Sequence, residues 1–322
     1  MTQVHWQPTA GPALLQARAR LNRTLRAFFE ARGVLEVETP LLSHAIGTDP
    51  NLHPVCAVYQ PWPQAPGETL YLQTSPEFAM KRLLAAGSGA IYQLCKAVRN
   101  GEEGTRHNPE FTMLEWYRPG FTLVQLMDEV EALARAVLGP LACRRVTYRE
   151  LFVQYLGIDP HSVRIDALEA LTRKHIDLHQ HETHRDTLLE LLYSQVIEPT
   201  LQTPVFIHDY PATQAALARI TQDPQGVSVA QRFELVIGGM EIANGYDELS
   251  DATEQQRRFA ADQALRRQRG QPEFPTDERF LAALVHGLPD CAGVALGVDR
   301  LLMLQTGMTH IREVLAFAHP LA

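Results

Sequence analysis

Phe233-Glu234-Leu235-Val236-Ile237-Gly238-Gly239-Met240-Glu241-Ile242-Ala243 is the stretch that sets the fold of this chain. Two apolar, β-prone runs flank a Gly-Gly pair, the signature of a two-residue hairpin turn. Such a turn sets Ile237 opposite Met240, Val236 opposite Glu241 and Glu234 opposite Ala243. Glu234 and Glu241 then share one face as diagonal neighbours, roughly 7–8 Å apart. Two carboxylates on an otherwise apolar hairpin are costly unless a cation sits between them. A divalent metal carrying phosphate oxygens suits the pair, because Mg2+ takes one or two carboxylates plus substrate oxygens. The plain alternative is an exposed hairpin face.

Outward from the hairpin, the elements fall into two strand blocks separated by helices. A helix is expected over residues 13–32, with Leu14, Leu21, Leu25 and Phe28 on one face and Gly33 at its end. Val34 to Leu42 reads as short extended chain. Strands are expected at Thr69–Gln73, Ile91–Arg99 and Phe111–Tyr117. Ser75-Pro76-Glu77 reads as an N-cap, a first-turn proline and a first-turn acid opening a helix through Leu84. Thr122 with Gln125 forms a capping box, and Asp251 with Glu254 caps a helix running to Gly270. Residues 141–203 look helical, a helical insertion with little chemistry of its own. Strands return at Val205–Asp209 and Gly293–Val298, the latter leading into a last helix. Strands in blocks, rather than alternating with helices, predict an α+β class: a mainly antiparallel sheet flanked by helices.

Composition narrows the function. The chain has 322 residues, 45% of them apolar, and 37 acidic against 29 basic side chains, a net charge of −8. That is ample for a core, and the acidic balance argues against sequence-blind nucleic-acid binding. No apolar run is long enough to span a membrane, and Met1 to Gly11 does not read as a signal peptide. Cys56, Cys95, Cys143 and Cys291 are too far apart for a zinc ribbon or a CxxC motif and read as buried, reduced thiols of a cytoplasmic protein. His175, His179, His181 and His184 lack an accompanying ligand at metal spacing and read as a solvated turn.

Further chemistry gathers on two other segments. In the strand after Pro109, alternation points Phe111, Met113, Glu115 and Tyr117 one way and Thr112, Leu114, Trp116 and Arg118 the other. The first set offers a ring, a carboxylate and a phenol, suited to a flat ligand and an amine; an ordinary amphipathic strand reads similarly. Arg99-Asn100 and Arg106-His107-Asn108 flank the preceding loop, and arginines there can grip polyphosphate bidentately. Gly293-Val294-Ala295-Leu296-Gly297-Val298-Asp299-Arg300 lets a ligand approach the backbone beside Arg300, or simply packs a strand against a helix. It matches neither a P-loop nor GxGxxG.

Together the segments resemble the class II lysyl-tRNA synthetases. Arg99-Asn100 through His107-Asn108-Pro109-Glu110-Phe111-Thr112-Met113-Leu114-Glu115 is similar to their second signature motif, and Gly297-Val298-Asp299-Arg300 to their third. The helix to Glu38-Thr39-Pro40-Leu41 is similar to the first, dimer-forming motif. Glu241-Ile242-Ala243-Asn244-Gly245-Tyr246-Asp247-Glu248-Leu249 resembles the lysine- and metal-binding stretch. The resemblance runs from about residue 12 to the end. It is closer still to a branch of that family that modifies elongation factor P, through Thr74-Ser75-Pro76-Glu77-Phe78-Ala79-Met80-Lys81-Arg82-Leu83-Leu84 and Met113-Leu114-Glu115-Trp116-Tyr117-Arg118-Pro119. In keeping with that branch, no anticodon-binding domain precedes the first motif, and Ala295 stands where the synthetases usually carry glycine.

The resemblance implies one class II catalytic domain over residues 1–322. It implies ATP as substrate, Mg2+, a homodimer through the first-motif helix, and elongation factor P with lysine or (R)-β-lysine as partners; tRNA and membrane are not expected. Arg99 and Arg300 are the implied catalytic residues, Arg99 on the α-phosphate, Arg300 and His107 on the γ-phosphate. Phe111 stacks adenine, with Asn100, Gly101, Glu102, Asn108, Ile242 and Gly297 in the ATP site. Glu234 and Glu241 hold Mg2+. Glu115, Glu248 and Tyr117 take the terminal ammonium, Ser75, Pro76 and Glu77 the amine nearer the carboxylate, and Asn244 the carboxylate end, with Ala295 shaping the space around the α-carbon. The family usually reads Arg-Asn-Glu where this chain reads Arg99-Asn100-Gly101-Glu102, so Glu102 either replaces the adenine-side glutamate or that contact is lost. The implied activity is ATP-dependent formation of an aminoacyl-adenylate and its transfer to a lysine side chain. A stand-alone lysyl-tRNA synthetase core activating α-lysine, an asparagine-synthetase-like relative and a non-catalytic regulatory paralogue are the alternatives. The second is disfavoured by Glu115 and Glu248, the third by the presence of Arg99, Arg300 and both metal glutamates.

Overall fold

A computed structural model of the chain describes residues 6–178, 182 and 184–322. Its strands are β1 (Leu35–Glu36), β2 (Leu42–Ser43), β3 (Cys56–Tyr59), β4 (Glu68–Leu72), β5 (Ile91–Val98), β6 (Glu110–Pro119), β7 (Arg144–Thr147), β8 (Val205–Pro211), β9 (Ile220–Gln222), β10 (Ser228–Ile237), β11 (Met240–Asp247) and β12 (Cys291–Gly297). The helices are α1 (Pro12–Glu30), α2 (Glu77–Ala85), α3 (Leu123–Leu138), α4 (Tyr148–Leu156), α5 (Ile165–His175), α6 (Arg185–Leu192), α7 (Ala252–Gln268), α8 (Glu278–Gly287) and α9 (Val298–Thr306). The main sheet runs β1-β5-β6-β12-β11-β10-β8-β7, with β9 paired to β10. It is antiparallel except at its ends, where β1 lies parallel to β5 and β7 parallel to β8. This is the expected α+β arrangement, with β2, β4 and β3 forming a small separate sheet.

Alternation along the central strands divides the sheet into two faces. Leu114, Trp116, Phe233, Leu235, Val294 and Leu296 point into one core with Leu21, Leu25 and Phe29 of α1, Leu126 and Val130 of α3 and Leu301 and Leu302 of α9. The opposite face carries the polar residues. One end of it is closed by a cluster of Met80, Leu84, Phe259 and Phe280 from α2, α7 and α8. The other end is closed by α4 and α6 packed on β8 through Phe152, Leu188, Leu189 and Ile207. Residues 141–203 therefore do more than decorate: they add β7 to the sheet and wall off one side of its polar face.

Local expectations hold with instructive exceptions. The capping box at Thr122 and Gln125 forms, and Asp251 accepts from the Thr253 and Glu254 amides at the start of α7. The helix after Ser75 begins one residue late, at Glu77; the Ser75 hydroxyl still accepts from the Glu77 amide, at 3.1 Å. Gly238 and Gly239 sit at φ +61° and +66°, as a type I′ turn requires. Beyond that turn the register differs from simple alternation. Ile237 faces Met240 and Val236 faces Glu241, but Leu235 faces Ala243 and Glu234 faces Asn244, not Ala243. A β-bulge accounts for the slip: Ile242 and Ala243 both enter the core with Leu235. Glu234 and Glu241 keep the shared face that alternation assigned them.

Two smaller expectations change. All four cysteines are free, but only Cys291 is buried; Cys95 and Cys143 are partly covered and Cys56 is exposed. Of the histidine-rich stretch, His179 and His181 lie outside the described residues, and His184 lines the cavity described next.

Candidate active site

Strand register lays out the polar face in rows. Glu115 of β6 stands beside Ala295 of β12, Ala295 beside Asn244 of β11, and Asn244 beside Glu234 of β10. Two residues along, Tyr117, Gly293, Tyr246 and Arg232 make a second row on the same face. Three strand spacings separate Glu115 from Glu234, about 14 Å. A cavity of about 1580 Å3 opens over both rows. Of the residues expected at the site, Asn100 and Gly101 do not line it; the others do.

One end of the rows is anionic. Glu115 accepts from the Ser75 hydroxyl at 2.8 Å and from the Tyr117 hydroxyl at 2.6 Å. Burial, helped by the charge of Glu77, pushes its carboxyl up to about 7. Glu248 is pushed up to about 8 by burial, against the opposing pull of Lys81. Lys81 itself is fully buried behind this wall, its Nζ 2.6 Å from Glu77 Oε1 and 2.6 Å from Glu248 Oε2. Burial disfavours its charge, but Glu248 and Glu77 outweigh that and hold the ammonium form. Gly293 forms the floor: a Cβ there would lie 2.3 Å from the Tyr117 ring and 2.4 Å from Glu248 Oε1.

The other end mixes acids with arginines. Glu234 is buried, hydrogen-bonded by the Arg232 guanidinium and by the Tyr193 hydroxyl at 3.1 Å. Burial raises its pKa, Arg232 opposes, and Glu241 reinforces. Arg300 donates to the Glu241 carbonyl at 2.8 Å and stands 3.3 Å from its carboxylate. The same guanidinium lies 2.7 Å from His107 Nε2. Desolvation and the Arg300 charge lower the His107 pKa, which leaves a neutral imidazole able to accept from Arg300. Arg106 ties the loop to the hairpin through the Gly239 carbonyl and accepts from Arg300 Nε with its own carbonyl. Between the two ends, Arg99 lies 5.1 Å over the Phe111 ring and donates to the Thr74 carbonyl. Glu102 comes within 3.7 Å of Arg99 and faces the cavity, with Gly101 taking the turn at φ +82°. The Asn108 amide is spent on the Glu110 carbonyl and the His319 amide, so it braces the loop at the cavity edge.

As a donor set, Glu234 and Glu241 are two hard carboxylates on one face, among guanidinium groups that themselves call for an anion. That fits Mg2+ shared with a polyphosphate, since two carboxylates leave the remaining positions to phosphate oxygens and water. Four contributors received no role from the motifs: Lys81, which lies inside one of them, Arg232, Tyr193 and Glu198. Glu198 accepts from the Glu241 amide at 2.9 Å and is pushed up to about 7 by burial and by Glu241. Tyr193 and Glu198 sit on a π-turn and a 3-10 turn, Tyr193–Ile197 and Glu198–Thr200, that follow α6. The proline two residues after Ile197 is the sequence signal for that break in the helix.

Comparison with known proteins gives the family. Residues 6–320 match the family described as tRNA synthetases class II (D, K and N). The chain is 51% identical over 316 residues to an elongation factor P–(R)-β-lysine ligase of Pseudoalteromonas translucida (strain TAC 125), covering 97% of each chain. The protein of the same name from Vibrio cholerae serotype O1 is 51% identical over 326 residues, 100% of each chain. That from Haemophilus ducreyi is 46% identical over 319 residues, 98% of this chain and 97% of the other. The resemblance carried by the four motifs therefore extends over the whole chain, and the protein belongs to the class II tRNA synthetase family.

Proposed function

We propose that this protein is an ATP-dependent ligase that activates (R)-β-lysine as an adenylate and transfers it to a lysine side chain of elongation factor P. The carrying observation is one cavity with a buried anionic pocket at one end and a cluster of guanidinium groups at the other, joined by a row of facing residues. A dicationic amino acid fits the first end and a polyphosphate the second. Relatives bearing the ligase name align over essentially the whole chain, which supports the same reading.

In the first step a substrate carboxylate oxygen attacks the α-phosphorus of ATP. The bond to the β-phosphate oxygen breaks, and pyrophosphate leaves with that electron pair. Arg99 meets the charge that builds on the α-phosphate, while Arg300 and His107 hold the γ-phosphate. Phe111, with Arg99 over its ring, offers the face for adenine, and Glu102, beside Arg99 in the same cavity, is the acid assigned to its edge. Glu115, Glu248 and Tyr117 hold the terminal ammonium; Ser75 and Glu77 meet the second amine, and Asn244 orients the carboxylate. In the second step a neutral lysine amine of elongation factor P attacks the activated carbonyl carbon, AMP departs, and the attacking nitrogen loses a proton as the amide forms. No side chain is covalently modified, so positioning and charge neutralisation supply the rate. Mg2+, when bound by Glu234 and Glu241, would neutralise phosphate charge.

In this reading residues 1–322 form one catalytic domain with 141–203 as an insertion, and two copies pair through α1, in the cytoplasm. The test is ATP–pyrophosphate exchange with (R)-β-lysine and with α-lysine, followed by mass measurement of elongation factor P and by aminoacylation of tRNA transcripts. Exchange with (R)-β-lysine and a mass gain of one lysyl group on the factor are expected. Exchange with neither isomer, or charging of tRNA in place of the factor, would reject the reading.

A further inference from the structure

An ammonium group already stands behind the wall of the amino-acid pocket. Lys81 projects from α2, fully buried, and its Nζ lies 2.6 Å from both Glu77 Oε1 and Glu248 Oε2. These are two of the carboxylates that the reading above gives to the substrate's own amines. The third, Glu115, faces the same space from β6 beside Tyr117. Tyr246 of β11 and Cys291 of β12 also feel these charges, and the Phe280 ring of α8 covers Lys81 at 5.9 Å. Among these described groups, with the acids ionised as bound ammonium groups favour, three carboxylates and one resident ammonium leave two negative charges for the ligand to compensate. Two is the number of ammonium groups on a diamino acid at neutral pH.

A lysine at this place is not needed to seal the core. Its neighbours Met80 and Leu84 do that by packing with Phe259 and Phe280. A buried charge is kept at such a site only if it is paired, and here the pairs are the pocket's own acids. We propose that Lys81 is a positioning residue that fixes the charge count of the amino-acid pocket, holding Glu77 and Glu248 in place so that the pocket accepts a substrate with two ammonium groups. This rests on the ligase reading. Lys81 does not line the cavity, so it acts through the two glutamates and not by touching the amino acid.

The test is a charge-balance cycle on the intact enzyme, read by ATP–pyrophosphate exchange with (R)-β-lysine between pH 6 and 9. Lys81→Met leaves one surplus negative charge, which the pocket relieves by keeping a proton. KM for the amino acid should rise about tenfold at pH 7, with KM for ATP changed less than about twofold. The acid limb of kcat/KM should move up by about one pH unit. Glu77→Gln alone removes a charge of the opposite sense. Lys81→Met/Glu77→Gln restores the count, so the lysine substitution, harmful alone, should lower the amino-acid KM when added to Glu77→Gln. That reversal of sign is not produced by a merely structural lysine. If Lys81→Met does not fold, the comparison of Glu77→Gln with the double variant, both checked by cooperative thermal unfolding, still decides. An amino-acid KM and pH profile unchanged in folded Lys81→Met, or a double variant no better than Glu77→Gln, overturns the proposal. Failure of the unmodified enzyme to exchange with either lysine isomer overturns instead the ligase reading on which it rests.

Discussion

At position 293 the absence of a side chain shapes the ammonium pocket. A methyl there would sit 2.3 Å from the Tyr117 ring and 2.4 Å from the Glu248 carboxylate, on a floor fixed by β6 and β11. Gly293→Ala should therefore displace both groups and raise the amino-acid KM in pyrophosphate exchange about tenfold or more, with the ATP KM nearly unchanged. Equal losses for the two substrates would show that the floor serves the fold and not the pocket. Glu248→Gln should likewise weaken amino-acid binding far more than ATP binding, measured in the same assay. Glu115, Tyr117 and Phe111 were legible in the sequence because period-two alternation puts them on one face. Lys81 was not, since a lysine four residues after Glu77 on a short helix reads as a solvated surface pair. Only the fold brings Glu248 against it, and only then does the pair become a buried triad. The crowding around Gly293 is equally silent in sequence, because what a glycine makes room for lies on neighbouring strands.

Among elements, the junction of β6, α1 and α9 shows how the phosphate end is held. Asp299, in the first turn of α9, is 2% exposed and accepts from the Thr112 amide of β6 at 2.6 Å. Its other oxygen pairs with Arg18 of α1, which also reaches the Val314 carbonyl. One carboxylate thus fixes the helix that carries Arg300 against the strand that carries Phe111. Asp299→Ala should cost about 3 kcal/mol, because it leaves a half-buried guanidinium and a partly buried amide without their acceptor. Denaturant unfolding measures that loss, and a change below about 1 kcal/mol would deny the carboxylate this role. The hairpin and the helix caps at this scale were readable from Gly-Gly and Thr-x-x-Gln chemistry. The bulge at Ile242 was not, because Ile242 and Ala243 are both apolar and the alternation there suits either register. The contribution of residues 141–203 was hidden for a related reason: Tyr193 and Glu198 reach the hairpin from a π-turn and the 3-10 turn after it, whose side-chain directions follow neither α-helical nor strand spacing.

For the whole molecule, a site that concentrates carboxylates away from water ties stability to pH. Burial pushes Glu115 up to about 7 and Glu248 up to about 8, both well above the range of a carboxylate in an unfolded chain. For an acid raised on folding, the native state holds a proton that the unfolded chain has already lost. The stabilisation is therefore complete below about pH 4.5 and is lost as pH climbs through 7 and 8. Over that window the ligand-free protein should melt at progressively lower temperature. A dicationic amino acid reverses the balance, because its ammonium groups favour the ionised carboxylates and expel their protons. With saturating (R)-β-lysine the decline in Tm between pH 5 and 8.5 should flatten, so the ligand-induced increase in Tm grows with pH. Titration calorimetry at pH 7 in two buffers of different ionisation enthalpy should show net proton release on amino-acid binding. A Tm independent of pH in the free protein, or proton uptake on binding, would mean that these carboxylates are already ionised and that the pocket is built for a different charge.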